Sequence, residues 1–254
     1  MMITGRNVRG SHGRTSTAPK PTFREVLSST DPALPKVHDL IRRTFPKDEL
    51  VGRSEWRDSL REREAGLWSD SRWHLVVAER KGAVIGVASG TYLGNVNTGV
   101  IGYLAVSSAA RGYGVGPKLR EKLRALFRRD ARQIRSEPLR AVIGEVHRNN
   151  PWLRTLIRSE RVLALDFKYY QPSIRRGERP VPLVLYYEFI RRPKQRLPTA
   201  LIRTLLYSAW RRIYRIPRPM THRVFRHMLA ELALKKSIGE IKMRDLPSPE
   251  KTRR

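Results

Sequence analysis

One stretch constrains this chain more than any other. An apolar strand, Val100 to Val106, is followed by the polar pair Ser107-Ser108 and then by the loop Arg111-Gly112-Tyr113-Gly114-Val115-Gly116. A helix follows directly. Leu119, Leu123, Leu126 and Phe127 form its apolar face, Lys118, Arg120, Lys122, Arg124, Arg128 and Arg129 cover the rest, and Pro117 suits its first turn. A strand running through glycines into a helix start makes a site for a phosphate or pyrophosphate. Glycines allow close backbone approach, amides point inward, and the positive end of the helix dipole faces the anion. Arg111 adds a full charge at its mouth.

Composition bounds the rest. The chain has 254 residues, 40% of them hydrophobic, enough for one core and an appendage. It has no cysteine, which excludes disulfides, a thiolate zinc site and a cysteine nucleophile. Arg or Lys interrupts every apolar run before the roughly 18–20 residues of a membrane span. Met1 to Lys20 lacks the apolar segment of a secretory signal, so the expected location is cytoplasmic. His222 and His227 are five apart, not the four of a helical zinc pair, and no metal is expected.

The formal charge is +29, distributed as +4 over residues 1–21, +11 over 22–190 and +14 over 191–254. Such a balance favours an anionic partner, whether nucleic acid, an anionic lipid surface or a phosphorylated ligand, with a solvated arginine-rich face as the plain alternative. Residues 1–21 carry almost no large apolar groups and read as a disordered basic tail.

Phe23, Val26 and Leu27 suggest a short strand. Asp31 and Pro32 open a helix carrying Leu34, Val37, His38, Ile41 and Phe45, and a second helix spans Ser54 to Glu64. His74–Glu79 and Ala83–Leu93 read as a hairpin about Arg80-Lys81-Gly82. After the glycine-loop helix come strands around Leu139–Val146 and Val162–Tyr169, with a short helix around Pro151–Ser159 between them. Strand Pro182–Ile190 closes the series. The order describes an α/β domain with a mixed, largely antiparallel sheet flanked by helices. Beyond Arg191 the pattern is helical only: one stripe runs from Leu201 to Ile213, and Phe225, Met228, Leu229 and Leu232 form another, with Thr221 expected as its N-cap. The expected organisation is therefore a tail at 1–21, a core at 22–190 and a basic helical extension at 191–254.

Leu104-Ala105-Val106 followed by Arg111-Gly112-Tyr113-Gly114-Val115-Gly116 and Leu119 resembles motif A of the GNAT superfamily of N-acetyltransferases. The loop matches the family's Arg/Gln-x-x-Gly-x-Gly pattern, and the element order from Thr22 to Ile190 is similar to the family's. The extension lies outside the resemblance. What the resemblance implies is an acyl-CoA-dependent N-acyltransferase, with acetyl-CoA or another acyl-CoA held in a V-shaped opening of the sheet. Its pyrophosphate would rest on the amides of Arg111, Gly112, Tyr113, Gly114, Val115 and Gly116. Backbone groups of the Leu104-Ala105-Val106 strand would pair with the pantetheine arm, and Asn150 would contact it. The acceptor amine would attack the thioester directly. Pro117, which has no N–H, departs from the cradle.

The family often places a tyrosine seven residues after that asparagine; here the position is Ile157. Tyr169 and Tyr170 on a later strand are the candidates to protonate the leaving thiolate, since alternation sends one of them towards the cleft. Glu145 and His147 share a strand face, and Glu145 is the first candidate to deprotonate an ammonium acceptor. The competing reading is a non-catalytic acyl-CoA-binding module whose basic extension holds nucleic acid or a partner. The stripe from Leu201 to Ile213 is expected to pack on the domain or on a second subunit, the latter making a homodimer, and the amine acceptor is not legible.

Overall fold

The computed structural model describes residues 19–67, 69–173 and 179–247. Most of the basic tail expected over 1–21 therefore lies outside the described residues, as does the end of the chain from 248.

The chain opens with β1 (Thr22–Val26), α1 (Ala33–Thr44) and α2 (Arg53–Glu64). The Asp31 carboxylate accepts from the Ala33 amide at 2.8 Å, satisfying a donor at the start of α1. β2 (Ser71–Arg80) and β3 (Ala83–Leu93) form the expected hairpin, with Lys81 and Gly82 both at positive φ (53° and 72°), as its two-residue turn requires. β4 (Thr98–Val106) leads through the glycine loop into α3 (Val115–Arg135), then β5 (Ala141–Val146) and α4 (Pro151–Ile157). β6 (Val162–Ala164), β7 (Tyr169–Gln171) and β8 (Val181–Phe189) complete the sheet, in the order β1-β2-β3-β4-β5-β8-β6 with β7 also on β8. Every pairing is antiparallel except β4 with β5.

The single strand expected over Val162–Tyr169 is two. Leu165 forms a bridge with Glu240, and the Asp166 amide donates to Gly239, so the C-terminal segment captures the intervening backbone. The expected N-cap is also corrected. Thr221 bonds back to the Arg218 carbonyl, and His222 precedes the helix with no side-chain cap.

One sheet face is covered by α3 and α4. Gly86 and Gly90 on β3 and Gly99 on β4 form the seat for α3; a Cβ on Gly86 would meet Leu119 at 2.8 Å, so the helix lies close to the backbone. The opposite face is shared. α1 and α2 cover the β1–β4 half through Leu34, Val37, Leu60, Leu75 and Val77. The β5–β8 half is covered by α5 (Thr199–Arg212) and α6 (Arg223–Ala233), whose Ile202, Leu205, Trp210, Phe225 and Met228 join one core with Ile143, Leu185 and Tyr187. A short ribbon, β9 (Leu197–Pro198) with β10 (Ser237–Ile238), ties the ends of this segment together. No described helix is long and apolar enough to cross a membrane.

Candidate active site

β4 and β5 pair only from Thr98–Ile101 against Ala141–Gly144, after which the two strands part. Beyond this point β5 continues on β8 through Val146, while β4 continues on β3 through Val106. A wedge therefore opens in the sheet. At its apex Gly102 and Tyr103 oppose the single residue Ser89, a bulge that re-aims β4. The Tyr103 amide donates to Ser89 Oγ at 3.2 Å and the Ser107 amide to Ile85 O at 2.9 Å, both towards β3. By alternation the amides and carbonyls of Leu104 and Val106 face the wedge. Ala105, between them, turns its backbone to β3 and its side chain into the core.

At the wide end, Gly112 (φ 80°) and Gly114 (φ 74°) take left-handed conformations, and Gly114 caps α3. Among the described residues, no backbone carbonyl accepts from the amides of Gly112 to Gly116. These donors, with the start of a 21-residue helix behind them, form an anion cradle. Arg111 stands beside it, its Nε 3.4 Å from Val106 O, and Tyr113 is exposed.

A cavity of about 300 Å³ passes through the wedge, lined on the α3 and α4 face by Trp152 and Tyr186 and on the other by Glu49, Glu145 and Tyr214. Glu145 is the centre of a hydrogen-bond cluster. Tyr169 donates to one carboxylate oxygen in a very short contact, and Tyr214 donates to the other at 2.6 Å. Desolvation raises the Glu145 pKa, the two tyrosine hydroxyls oppose the rise, and the nearby charge of Glu49 adds to it. Desolvation and the adjacent Glu145 also hold the hydroxyls of Tyr169 and Tyr214 well above their ordinary value. His147 pairs with Glu49 at the rim.

Of the two tyrosines on β7, Tyr169 is the one whose hydroxyl reaches Glu145. Both tyrosines line a separate cavity beside Lys168 and Glu231, and Tyr170 packs at the edge of the α5/α6 core. Asn150 lines the wedge, but its side-chain oxygen caps α4 by accepting from the Trp152 amide at 2.9 Å. Sequence reasoning missed Tyr214. It follows α5, within the extension, and nothing in the run Ile213-Tyr214-Arg215-Ile216 distinguishes it from the end of an amphipathic helix. Its segment is strapped across α2: Arg212 pairs with Asp70 at 2.6 Å, and Arg215, at φ 53°, pairs with Glu62 at 2.7 Å.

Much of the extension's charge faces outward, with Arg203, Arg211, Arg218, Arg223 and Arg226 exposed. Among the described residues no group of three or more His, Asp or Glu is placed to hold a metal ion.

A splayed parallel pair inside an otherwise antiparallel sheet, opening onto an amide cradle, defines the class of fold. Residues 34–138 match the family model described as the Acetyltransferase (GNAT) family. Among solved structures, a GNAT-family protein from Bacteroides thetaiotaomicron is 16% identical, with a TM-score of 0.55 over 77% of this chain and 99% of that one. A ribosomal-protein-alanine N-acetyltransferase from Brucella melitensis is 20% identical, with a TM-score of 0.46 over 66% of this chain and 99% of that one. A protein from Salmonella typhimurium solved with its cofactor acetyl-CoA is 17% identical, with a TM-score of 0.47 over 69% of this chain and 97% of that one. At 16% identity the likeness to the Bacteroides thetaiotaomicron protein is one of fold. No curated protein sequence matches the chain.

Proposed function

We propose that this protein transfers an acetyl or similar short acyl group from acyl-CoA to an amine, with the reaction centred where β4 leaves β5. The observation that carries this reading is the alignment of three features along one opening: the unpaired amides of Gly112–Gly116, the wedge-facing backbone of Leu104 and Val106, and the Glu145 cluster. The donor supplies an activated carbonyl. The loop amides and Arg111 hold its diphosphate, and the Leu104 amide is the donor positioned to stabilise charge on the thioester oxygen.

Glu145 takes the proton that the attacking nitrogen sheds as its bond to the acyl carbon forms. Tyr214 gives its hydroxyl proton to the sulfur as the carbon–sulfur bond breaks, and the 2.6 Å contact returns a proton from Glu145 to Tyr214. One proton leaves nitrogen and one reaches sulfur, so the cluster ends as it began. Tyr169 holds the other carboxylate oxygen and fixes the orientation of Glu145.

Because the Glu145 pKa is raised, the carboxylate form needed for catalysis is gained above the ordinary carboxylate range, and kcat rises with pH through that raised value. Glu145→Gln should lower kcat by about 100-fold or more, with the affinity for acetyl-CoA unchanged, and should abolish this limb of the pH profile. Tyr214→Phe should lower kcat while retaining the limb. Steady-state release of free thiol measures both; full activity in Glu145→Gln would remove the carboxylate from the mechanism.

A further inference from the structure

On the α1/α2 face, next to the wedge, lies a second cavity of about 460 Å³ between α2, the sheet and the Arg212–Arg215 strap. Its floor is unusual for the inside of a sheet. Along this face β2 and β3 are otherwise apolar, with Leu75, Val77 and Val87 packed under α1 and α2. Towards the cavity the same face presents Ser71, Ser89 and Thr91, all buried, at 6%, 2% and 8% exposure. Thr91 sits opposite Trp73 in the β2–β3 register, and Ser71 and Ser89 flank that pair on the same face.

Among the described residues, the hydroxyls of Ser71 and Thr91 have no hydrogen-bond partner, and Ser89 Oγ only accepts, from the Tyr103 amide at 3.2 Å. The Ser71 and Thr91 hydroxyls, which have no protein partner among the described residues, and the Ser89 hydroxyl, whose O–H is not donated, line one open cavity where a ligand can pair with all three.

The walls refine the ligand's chemistry. Trp56, Trp73 and Tyr103 form a contiguous aromatic side, with ring centroids 5.8 Å and 5.6 Å apart, suited to the C–H face of a ring. Arg63, Arg72, Arg212 and Arg215 outnumber Glu55 and Glu62 around the cavity, a balance that disfavours a polycation. Arg63, Arg212 and Arg215 are already held by Glu25, Asp70 and Glu62, and Arg72 by Gln133 and Asp130, so each described arginine of the cavity already has a partner. The cavity meets the wedge at Gly102, Tyr103 and Ile213, which line both, so a ligand on the hydroxyl floor can present a nitrogen towards Glu145.

We infer that the acyl acceptor is a polyhydroxylated primary amine of the amino-sugar class, seated on Ser71, Ser89 and Thr91 against the Trp56–Trp73 wall. This rests on the acyl-transfer reading above for the reaction, though not for the site itself.

The test separates the two. Saturation-transfer NMR with D-glucosamine reads the site without acyl-CoA, and thiol release in the presence of acetyl-CoA with D-glucosamine, spermidine or an alanyl peptide reads the reaction. Each is run on the full chain and on the near-isosteric Thr91→Val and Ser71→Ala/Thr91→Val variants. The expected result is glucosamine binding to the native protein, the highest kcat/KM for glucosamine, and a loss of roughly tenfold per hydroxyl removed, with acetyl-CoA affinity unchanged. Glucosamine binding that is lost in the double variant, without any acetyl-CoA turnover, would keep the site and overturn the acyl-transfer reading. No glucosamine binding to the native protein, binding indifferent to both variants, or preference for the peptide or spermidine would overturn the inference.

Discussion

A chain ending at residue 190 will not fold into a soluble core. The β5–β8 half of the sheet buries Ile143, Leu163, Leu185 and Tyr187 against Ile202, Leu205, Trp210, Phe225 and Met228 of the extension. Each such side chain contributes about 1.5–3 kcal/mol by burial. Net domain stability is only about 5–15 kcal/mol, so losing five of them together removes the folded state and exposes a continuous apolar face. Glu145 would also lose Tyr214, and Glu62 would lose Arg215. Expression of residues 1–190 beside the full chain, compared by solubility and by thermal unfolding, checks this. A soluble 1–190 chain with a cooperative transition would show that the extension is dispensable to the core.

Replacing His74 by Leu will destabilise the protein more than any other single change away from the cleft. His74 is fully buried between β2 and α3, with Nδ1 2.6 Å from Glu25 and Nε2 in a very short contact with Asp130, itself fully buried. Desolvation alone would raise the Glu25 pKa, but the hydrogen bonds and charges of His74 and Arg63 outweigh it and hold the carboxyl at about 2. A depressed carboxylate contributes stability that is present above its unfolded value and lost as pH falls towards the folded one. For Glu25 that window runs from the ordinary carboxylate range down to about 2.

Removing the imidazole leaves Asp130 buried without its main partner, at a cost of about 3–5 kcal/mol. For a chain of this size that lowers Tm by roughly 6–20 °C. Adding Asp130→Leu to His74→Leu should recover part of the loss, because removing both partners leaves no stranded charge at that end. Thermal melts at pH 7 decide it; a shift below about 2 °C in the single variant would mean that the network contributes nothing net.

These two results concern different degrees of legibility. The glycine loop and its helix were readable because they combine two independent signals, positive-φ glycines and a 3.6-residue apolar stripe, in one continuous stretch. The β2–β3 hairpin was readable for a similar reason, with Lys81-Gly82 supplying the turn. The role of the extension was not. An apolar stripe from Leu201 to Ile213 states that the helix is covered, but not that β5 and β8 cover it.

The Glu145–Tyr169–Tyr214 cluster draws on three elements spread over 70 positions, so no local spacing could announce it. Alternation on β7 narrowed two tyrosines to one, but choosing between Tyr169 and Tyr170 needed the register of β8. Ser71, Ser89 and Thr91 read in sequence as the polar half of ordinary alternation. Only the placement of α2 and the strap turns them into the floor of a cavity.

The measurement that bears most directly on the account is calorimetric titration of the full-length protein with acetyl-CoA, alongside Gly114→Trp, at two salt concentrations. Gly114 lies at φ 74°, where a residue with a Cβ is strained by about 1–2 kcal/mol, and the indole would stand at the mouth of the amide cradle. Micromolar binding in the native protein, absent in the variant at both salt concentrations, is the predicted result. No binding to the native protein, or equal binding by both, would contradict the assignment of the loop as the site for the acyl donor.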